Sequence, residues 1–271
     1  MLYGFGISGT GAHIEQARLD NLANSLANLR TPGFKAELLS LMERPPEALN
    51  IETDDDFYKL YQHHPLLDRQ GGGVQLAATR PDLRQGNLET TGNDLDLALD
   101  GQGYFVLEHS RHGRVYSRAG DFTTDRDGFL VTRDGQCRLI GDDGKPLNLQ
   151  TIAAQFGVSG QRVLVADDGG ISVQGASEGQ ILSDRRIAVV NFADGKLDKL
   201  GHTLLRTDAP PIPANAKIKQ SALEMSTSDA TLLMTEMVAV SRQFETNLRM
   251  LQLQDATLSS LMSNVAALPL I

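Results

Sequence analysis

Tryptophan is absent from this chain, cysteine occurs once, and aromatic residues make up only 5% of it. The single cysteine, Cys137, excludes an intramolecular disulfide and reads as a small hydrophobe in a strand. No apolar run approaches the roughly 20 residues that cross a bilayer, so no membrane insertion is expected. Positive charge is scarce: 25 Lys and Arg face 34 Asp and Glu, for a formal net charge of -9. Phosphate binding needs clustered Lys and Arg, which excludes a nucleic-acid partner, and an acidic chain gains nothing at an anionic lipid surface. The segment Met1 to Gly11 has neither a positive start nor a long apolar core, so a cleavable secretory signal is not expected.

A further absence is positional. Of 26 glycines, eighteen fall between Gly86 and Gly201, and none follows Gly201. Glycine supplies the positive-φ positions of turn-rich β structure and is excluded from stable helices. The middle therefore reads as β and the C-terminal part as helix. From Ala214 to Leu268 there is neither Gly nor Pro. Ala230, Met237, Phe244, Leu251, Leu258 and Val265 recur every seven residues, with Leu233, Val240 and Leu261 at the intervening position, which also holds Asn247 and Gln254. Such a stripe marks a helix that lies along another helix. Ser226-Thr227-Ser228-Asp229 offers its N-terminal caps.

At the other end, the stretch from Ala12 to Thr31 is free of Gly and Pro, and Leu19, Leu22, Leu26 and Leu29 share one helical face. Thr31-Pro32-Gly33 stops this helix. Residues 42–80 read as irregular, with Pro45-Pro46, Asp54-Asp55-Asp56, His63-His64-Pro65 and Gly71-Gly72-Gly73 as loop signals. The β region carries short apolar runs and Asp-Gly pairs at 127–128, 134–135, 143–144 and 194–195, which suit tight hairpins.

Candidate chemistry is thin. Gly4-Phe5-Gly6-Ile7-Ser8-Gly9 matches a dinucleotide fingerprint, but only three residues precede it and no strand can sit there; it reads as a flexible start to the first helix. Asp125-Arg126-Asp127-Gly128 with Asp134 places Asp, not the bidentate Glu, at the closing position of a calcium loop, and reads as a turn. None of the six histidines has zinc-site spacing. No catalytic residue, cofactor or metal site is assigned.

The informative constellation runs from Asn21 to Lys35: Asn-Leu-Ala-Asn-Ser-Leu-Ala-Asn-Leu-Arg-Thr-Pro-Gly-Phe-Lys. It resembles the N-terminal signature of bacterial flagellar rod and hook axial proteins, with Ser25 where that family usually has Asn. Asp96 to Val106, Tyr116 to Phe122 and Asp127 to Val131 are similar to the family's early β region. Leu223 to Asp229, Glu236-Met237-Val238 and Arg242 to Asn247 are similar to its C-terminal region, with Phe244 as the usual aromatic. Residues 150–215 match poorly.

The resemblance implies an α+β protein. Its N- and C-terminal helices (1–40 plus 222–271) pair in a coiled-coil-like domain, a connector spans 41–80, and a glycine-rich all-β domain spans 81–221. It implies a rod subunit that assembles helically and transmits torque in the periplasm; Thr31 to Leu38 and Arg242 to Glu245 lean towards the proximal type, the length fits the distal type equally, and a hook-type subunit is the lower-ranked alternative. A glycan-binding or glycan-cleaving β module and a calcium-dependent adhesin are the alternatives from other classes. The helix-packing residues are Leu19, Leu22, Leu26, Met237, Val240, Phe244, Leu251 and Leu258. Asn24, Asn28 and Asn247 serve as amides between helices or at caps. Gly33 supplies a left-handed turn and Phe34 packs the helix exit. Leu2, Phe5 and Ile7 are the candidates read by the flagellar export apparatus. The other partners implied are further copies of the chain, neighbouring axial proteins and surrounding ring proteins. The terminal helices are expected to order on assembly.

Overall fold

A computed structural model describes residues 2–43, 73–155, 162–174, 180–193 and 197–266. The chain divides into two units: Met1–Leu26, Glu37–Thr79 and Ala230–Ile271 form the first, and Ala27–Ala36 with Arg80–Asp229 the second. The class is α+β, with helices at both termini and a mostly β centre.

In the first unit, helix α1 spans Leu2–Ala27. It begins well before the expected Ala12, so the segment from Gly4 to Gly11 is helical and not an irregular lead-in. Each glycine costs a helix only about 1 kcal/mol, and one of them has a packing reason. A Cβ on Gly11 would stand 3.2 Å from Asn247 Nδ2. Strands β1 (Glu37–Glu43) and β2 (Val74–Pro81) form a two-stranded sheet. The connector is therefore strand at both of its ends, where the sequence reading had loop from residue 42. Its other loop signals, from Pro45 to Gly72, lie outside the described residues.

The C-terminal helix spans Ala230–Ala266. At 1.5 Å per residue it is roughly 55 Å long. Its covered positions follow the heptad. Leu233 and Val240 are buried, and Ala230, Met237, Phe244, Asn247, Leu251, Gln254 and Leu258 are half-buried. Between Thr231 and Ser260 every other position is exposed except Ser241.

The second unit is built on a nine-stranded antiparallel sheet. Around its centre run β5 (Tyr104–His109), β6 (Gly113–Ser117) and β9 (Cys137–Leu139). Side chains of β5 alternate between two cores. Phe105 and Leu107 join Leu99, Val115, Leu139, Leu147 and Ile218 on one face, while Tyr104 and Val106 join Tyr116, Phe192 and Leu205 on the other. That strict alternation is the period of two expected of a strand covered on both faces. Cys137 is fully buried in the first core, where burial pushes its thiol up to about 11.

Two later strands return to the early ones. β17 (Lys217–Gln220) pairs with β4 (Leu97–Asp100), and β18 (Ala222–Glu224) pairs with β3 (Leu88–Thr90). The Asp-Gly turns share one construction. The N–H groups of Gly128, Gly135 and Gly144 donate to the carbonyls of Asp125, Thr132 and Gly141, and each glycine has positive φ. This is a type I turn closed by a left-handed glycine, which suits hairpins. Asp194-Gly195 lies outside the described residues. The centre is not all β: α2 (Leu149–Gln155) interrupts it. Asn148 Oδ1 accepts the Thr151 N–H at 2.9 Å and caps this short helix, while Ile152 anchors it in the interior.

Candidate assembly surfaces and the buried joint

After α1, the chain turns through Asn28 and Thr31. The Thr31 N–H donates to the Asn28 carbonyl at 3.1 Å and its hydroxyl meets Asn28 Oδ1 at 3.2 Å. Gly33 follows with φ +66, a value that costs other residues strain. Space excludes a side chain there as well, since a Cβ would lie 2.2 Å from the Ala119 backbone nitrogen. Phe34 is fully buried, and Lys199 Nζ sits 4.2 Å above its ring. Lys199 Nζ also donates to the Lys35 carbonyl at 3.1 Å.

Lys35 enters a buried charge cluster. Its Nζ donates to Glu224 Oε1 at 2.6 Å and to the Arg84 carbonyl at 2.5 Å. Arg118 Nη1 donates to Glu224 Oε2 at 3.1 Å, and the Gly86 N–H donates to Glu224 Oε1 at 2.9 Å. The Glu224 backbone carbonyl accepts from the Gly33 N–H at 2.7 Å. The Glu224 side chain is 0% exposed, and those of Lys35 and Arg118 are 3% exposed. Burial is the largest influence on Lys35 and lowers its pKa, although Glu224 pulls it upward. Nearby, Arg84 grips Asp82 through paired hydrogen bonds and holds its carboxyl below the ordinary carboxylate range.

One glutamate thus holds the residue after the helix exit, the strand β18 and the loop bearing Arg118 at one point. A carboxylate buried beside two cations is costly to desolvate, and removing one partner strands the rest. The cluster is a joint between segments far apart in the chain. Sequence reasoning quoted Lys35, Arg118 and Glu224 as pieces of separate motifs and assigned none of them a role. Their separations in the chain, up to 189 residues, leave no local signal for the contact.

The expected helix-packing residues are divided between the units. Leu19, Leu22, Asn24 and Leu26 are half-buried on α1, as is Asn28 in the turn that follows. Leu22 and Val240 line one groove of about 370 Å³ with Asn21 and Leu39. Asn21 Nδ2 donates to the Glu37 carbonyl at 2.7 Å and ties α1 to β1. Asn247 faces Gly11, and Gln254 Nε2 reaches Ser8 Oγ at 3.5 Å. Later residues of the C-terminal helix therefore meet earlier residues of α1, as in an antiparallel arrangement. Of the export candidates, Ile7 is 38% exposed, while the side chains of Leu2 and Phe5 lie outside the described residues.

The C-terminal helix has a second apolar side that the heptad reading does not contain. Leu232, Val238, Met250 and Leu253 are 47–64% exposed. The signal was in the sequence as extra Leu and Met off the stripe, but only the structure shows how exposed they stand among the described residues. Among the described residues, no helix is long and apolar enough to cross a membrane.

Comparison with known proteins gives this arrangement its context. Residues 98–173 match the flagellar hook protein FlgE/F/G D1 domain, and residues 219–264 match the flagellar basal body rod FlgEFG protein C-terminal region. The chain is 30% identical to the flagellar basal-body rod protein FlgG of Agrobacterium fabrum over 96% of its length and 98% of the relative's. It is 28% identical to FlgG of Bacillus subtilis over 95% and 96%. Against FlgF of Caulobacter vibrioides it is 32% identical over 86% and 85%. The matched regions include the part of the β unit with Arg118 and the strand and helix that carry Glu224 and most of the heptads. With similarity running end to end, this chain belongs to the flagellar basal-body rod protein family and is a structural subunit of the basal body, where it assembles with other axial proteins.

Proposed function

We propose that the chain is a FlgG-type rod subunit that polymerises helically into the drive shaft and transmits torque through it. The observation that carries this is the two-sided apolar character of the C-terminal helix. The heptad side is covered within the chain, and the opposite side presents Leu232, Val238 and Leu253 to the surroundings. A helix apolar on two sides needs a second partner to bury the other side. When that partner is a neighbouring copy meeting a different surface, the contact is heterologous, and repetition builds a helical tube. In this reading α1 and the C-terminal helix form an antiparallel coiled-coil-like pair in the wall of the rod, through Leu19, Leu22, Leu26, Met237, Val240, Phe244, Leu251 and Leu258. The β unit stiffens the shaft. Coverage of almost the whole of FlgG, against 85% of FlgF, supports the FlgG type over the FlgF type. The chain reaches the periplasm through the flagellar export apparatus, with Leu2, Phe5 and Ile7 as the segment read there.

The test is deletion of the gene followed by imaging of isolated basal bodies. Rods that stop at one definite height, and regain full length when the wild-type chain is restored, are the expected result. Complete rods in the deletion strain overturn the assignment.

A further inference from the structure

Strands β10 (Arg162–Val165), β11 (Gly170–Gln174) and β12 (Gln180–Arg186) form a three-stranded antiparallel sheet within the β unit. Backbone groups of successive residues point to opposite edges of a strand. The Ala166 N–H donates to the Gly170 carbonyl at 2.9 Å, so Val163, Val165 and Asp167 turn theirs to the edge away from β11. That edge faces β17. The Asp167 carbonyl accepts the Ile218 N–H at 3.0 Å, and among the described residues no further backbone bond joins the two segments. The reason is Ser221, which has φ 57 and turns the chain from β17 into β18. It is the one residue other than glycine with positive φ among the described residues, and its carbonyl is held by the Thr91 N–H at 2.8 Å. Beyond that point the Gln220 side chain takes over from the backbone. Its Oε1 accepts the Val165 N–H at 3.1 Å, and its Nε2 donates to the Val163 carbonyl at 2.6 Å and to the Asp94 carbonyl at 2.7 Å. A carboxamide carries the donor and acceptor of a peptide group, and this one supplies what β17 no longer does.

The opposite side of the sheet is joined by the chain itself. At the end of β12 the Arg186 carbonyl accepts the Asp142 N–H at 2.9 Å, Ile187 bridges to Gly141, and the Ala188 N–H donates to the Ile140 carbonyl at 3.1 Å. The chain then runs on into β13 (Val189–Asn191), which pairs with β5 in the nine-stranded sheet. Between the two sides, Ile171 is fully buried in the core that holds Ile187 and Ile218, and Val163 and Val165 pack against the same core.

We propose that the three-stranded sheet is a flap, hinged at Arg186 and Ile187 and latched at β10 by the Gln220 carboxamide. Opening as a body breaks the bonds of Val163, Val165 and Ile218 together and leaves the pairing of β10 with β11 intact. It uncovers Ile171, Val163 and Val165 and frees the β10 edge. An apolar face beside an unpaired strand edge is what captures another chain. The latch keeps that surface from adjoining copies in a protein that assembles, and a single side chain sets how often it is offered.

The experiment is hydrogen exchange at single amides in the dilute full chain, wild type against Gln220→Met, which removes the carboxamide and keeps a side chain of similar length. The Val165 and Ile218 amides are expected to exchange about tenfold faster in the variant, at matching rates, the size expected for the loss of one latching hydrogen bond. Ala166 and the residues Tyr104–Ser117 are expected to keep their wild-type rates. Ile218 is the decisive amide, because its partner is the Asp167 carbonyl and not the Gln220 side chain, so it is released only when the sheet moves as a body. Acceleration of Val165 alone is the loss of one local bond and overturns the flap. Equal acceleration of Ala166 or of Tyr104–Ser117 is loosening of the whole unit and overturns it too. The wild type gives a second check that does not depend on the variant folding. Val165 and Ile218 are expected to share one dependence of exchange on low urea, distinct from that of Ala166, because one opening exposes both. Different urea dependences for the two amides also overturn the proposal.

Discussion

At the scale of single residues, Glu224 does the most. Among the described residues its carboxylate is the only acid paired with both Lys35 and Arg118, and its backbone carbonyl accepts from Gly33. Glu224→Ala leaves two cations and the Gly86 N–H facing an empty site, at a cost of about 3–5 kcal/mol. At about 2–4 °C per kcal/mol, calorimetry is expected to show a melting temperature lower by roughly 6–20 °C. Asp82 gives a pH signature. Its hydrogen bonds with Arg84 lower its folded-state pKa below the ordinary 3.8. A depressed carboxylate contributes stability that is complete above the unfolded value and lost as pH falls through the folded one. Asp82→Asn is therefore expected to flatten the loss of stability below pH 3.8, measured by urea unfolding at a series of pH values.

At the scale of elements, the C-terminal helix separates folding from assembly on its own circumference. Val240 on the covered side is 6% exposed, whereas Leu253 on the opposite side is 64% exposed. Val240→Ser removes packed apolar volume and buries a hydroxyl, and is expected to destabilise the chain by about 2–3 kcal/mol. Leu253→Ser is expected to leave stability within about 0.5 kcal/mol, as surface changes do, and to reduce polymerisation. Urea unfolding and sedimentation of the same two variants check both halves. Equal loss of stability in the two variants would contradict the division into a covered and an open side. The first helix shows how one contact reorganises an element. Gly11 lets the Asn247 amide approach, and this makes a helical position of a residue that propensity alone counts against.

At the scale of the whole molecule, two units of different character share one chain. The β unit has two buried cores and a charged joint, while the helical unit leaves large Leu and Met side chains exposed. Local stability follows buried apolar contact, so the two units should open independently. Hydrogen exchange on the dilute chain is expected to show fast exchange through Ala230–Ala266 and slow exchange through Tyr104–Ser117. The helix is expected to become protected on polymerisation. Protection of the helix already complete in the dilute chain would remove assembly as the source of its order.

Much of this was legible without coordinates, for reasons that are local. A period of seven is a property of adjacent turns, so the covered face from Ala230 to Leu258 follows from spacing alone. Asp-Gly turns need only a few neighbouring dihedral angles, and the Asn-Leu-Ala-Asn and Gly-Phe-Lys residues carry the family by their order. What was misread is what distant residues decide. The glycine-rich start is helical, residues 74–81 form a strand because β1 pairs with them, and α2 interrupts the β region on a cap and a buried isoleucine. The joint is the clearest case. Composition and periodicity determined that this chain would have long terminal helices around a turn-rich β centre. Only tertiary structure decided that Lys35, Arg118 and Glu224 would meet, because burial makes their pairing obligatory and burial is a property of the folded whole.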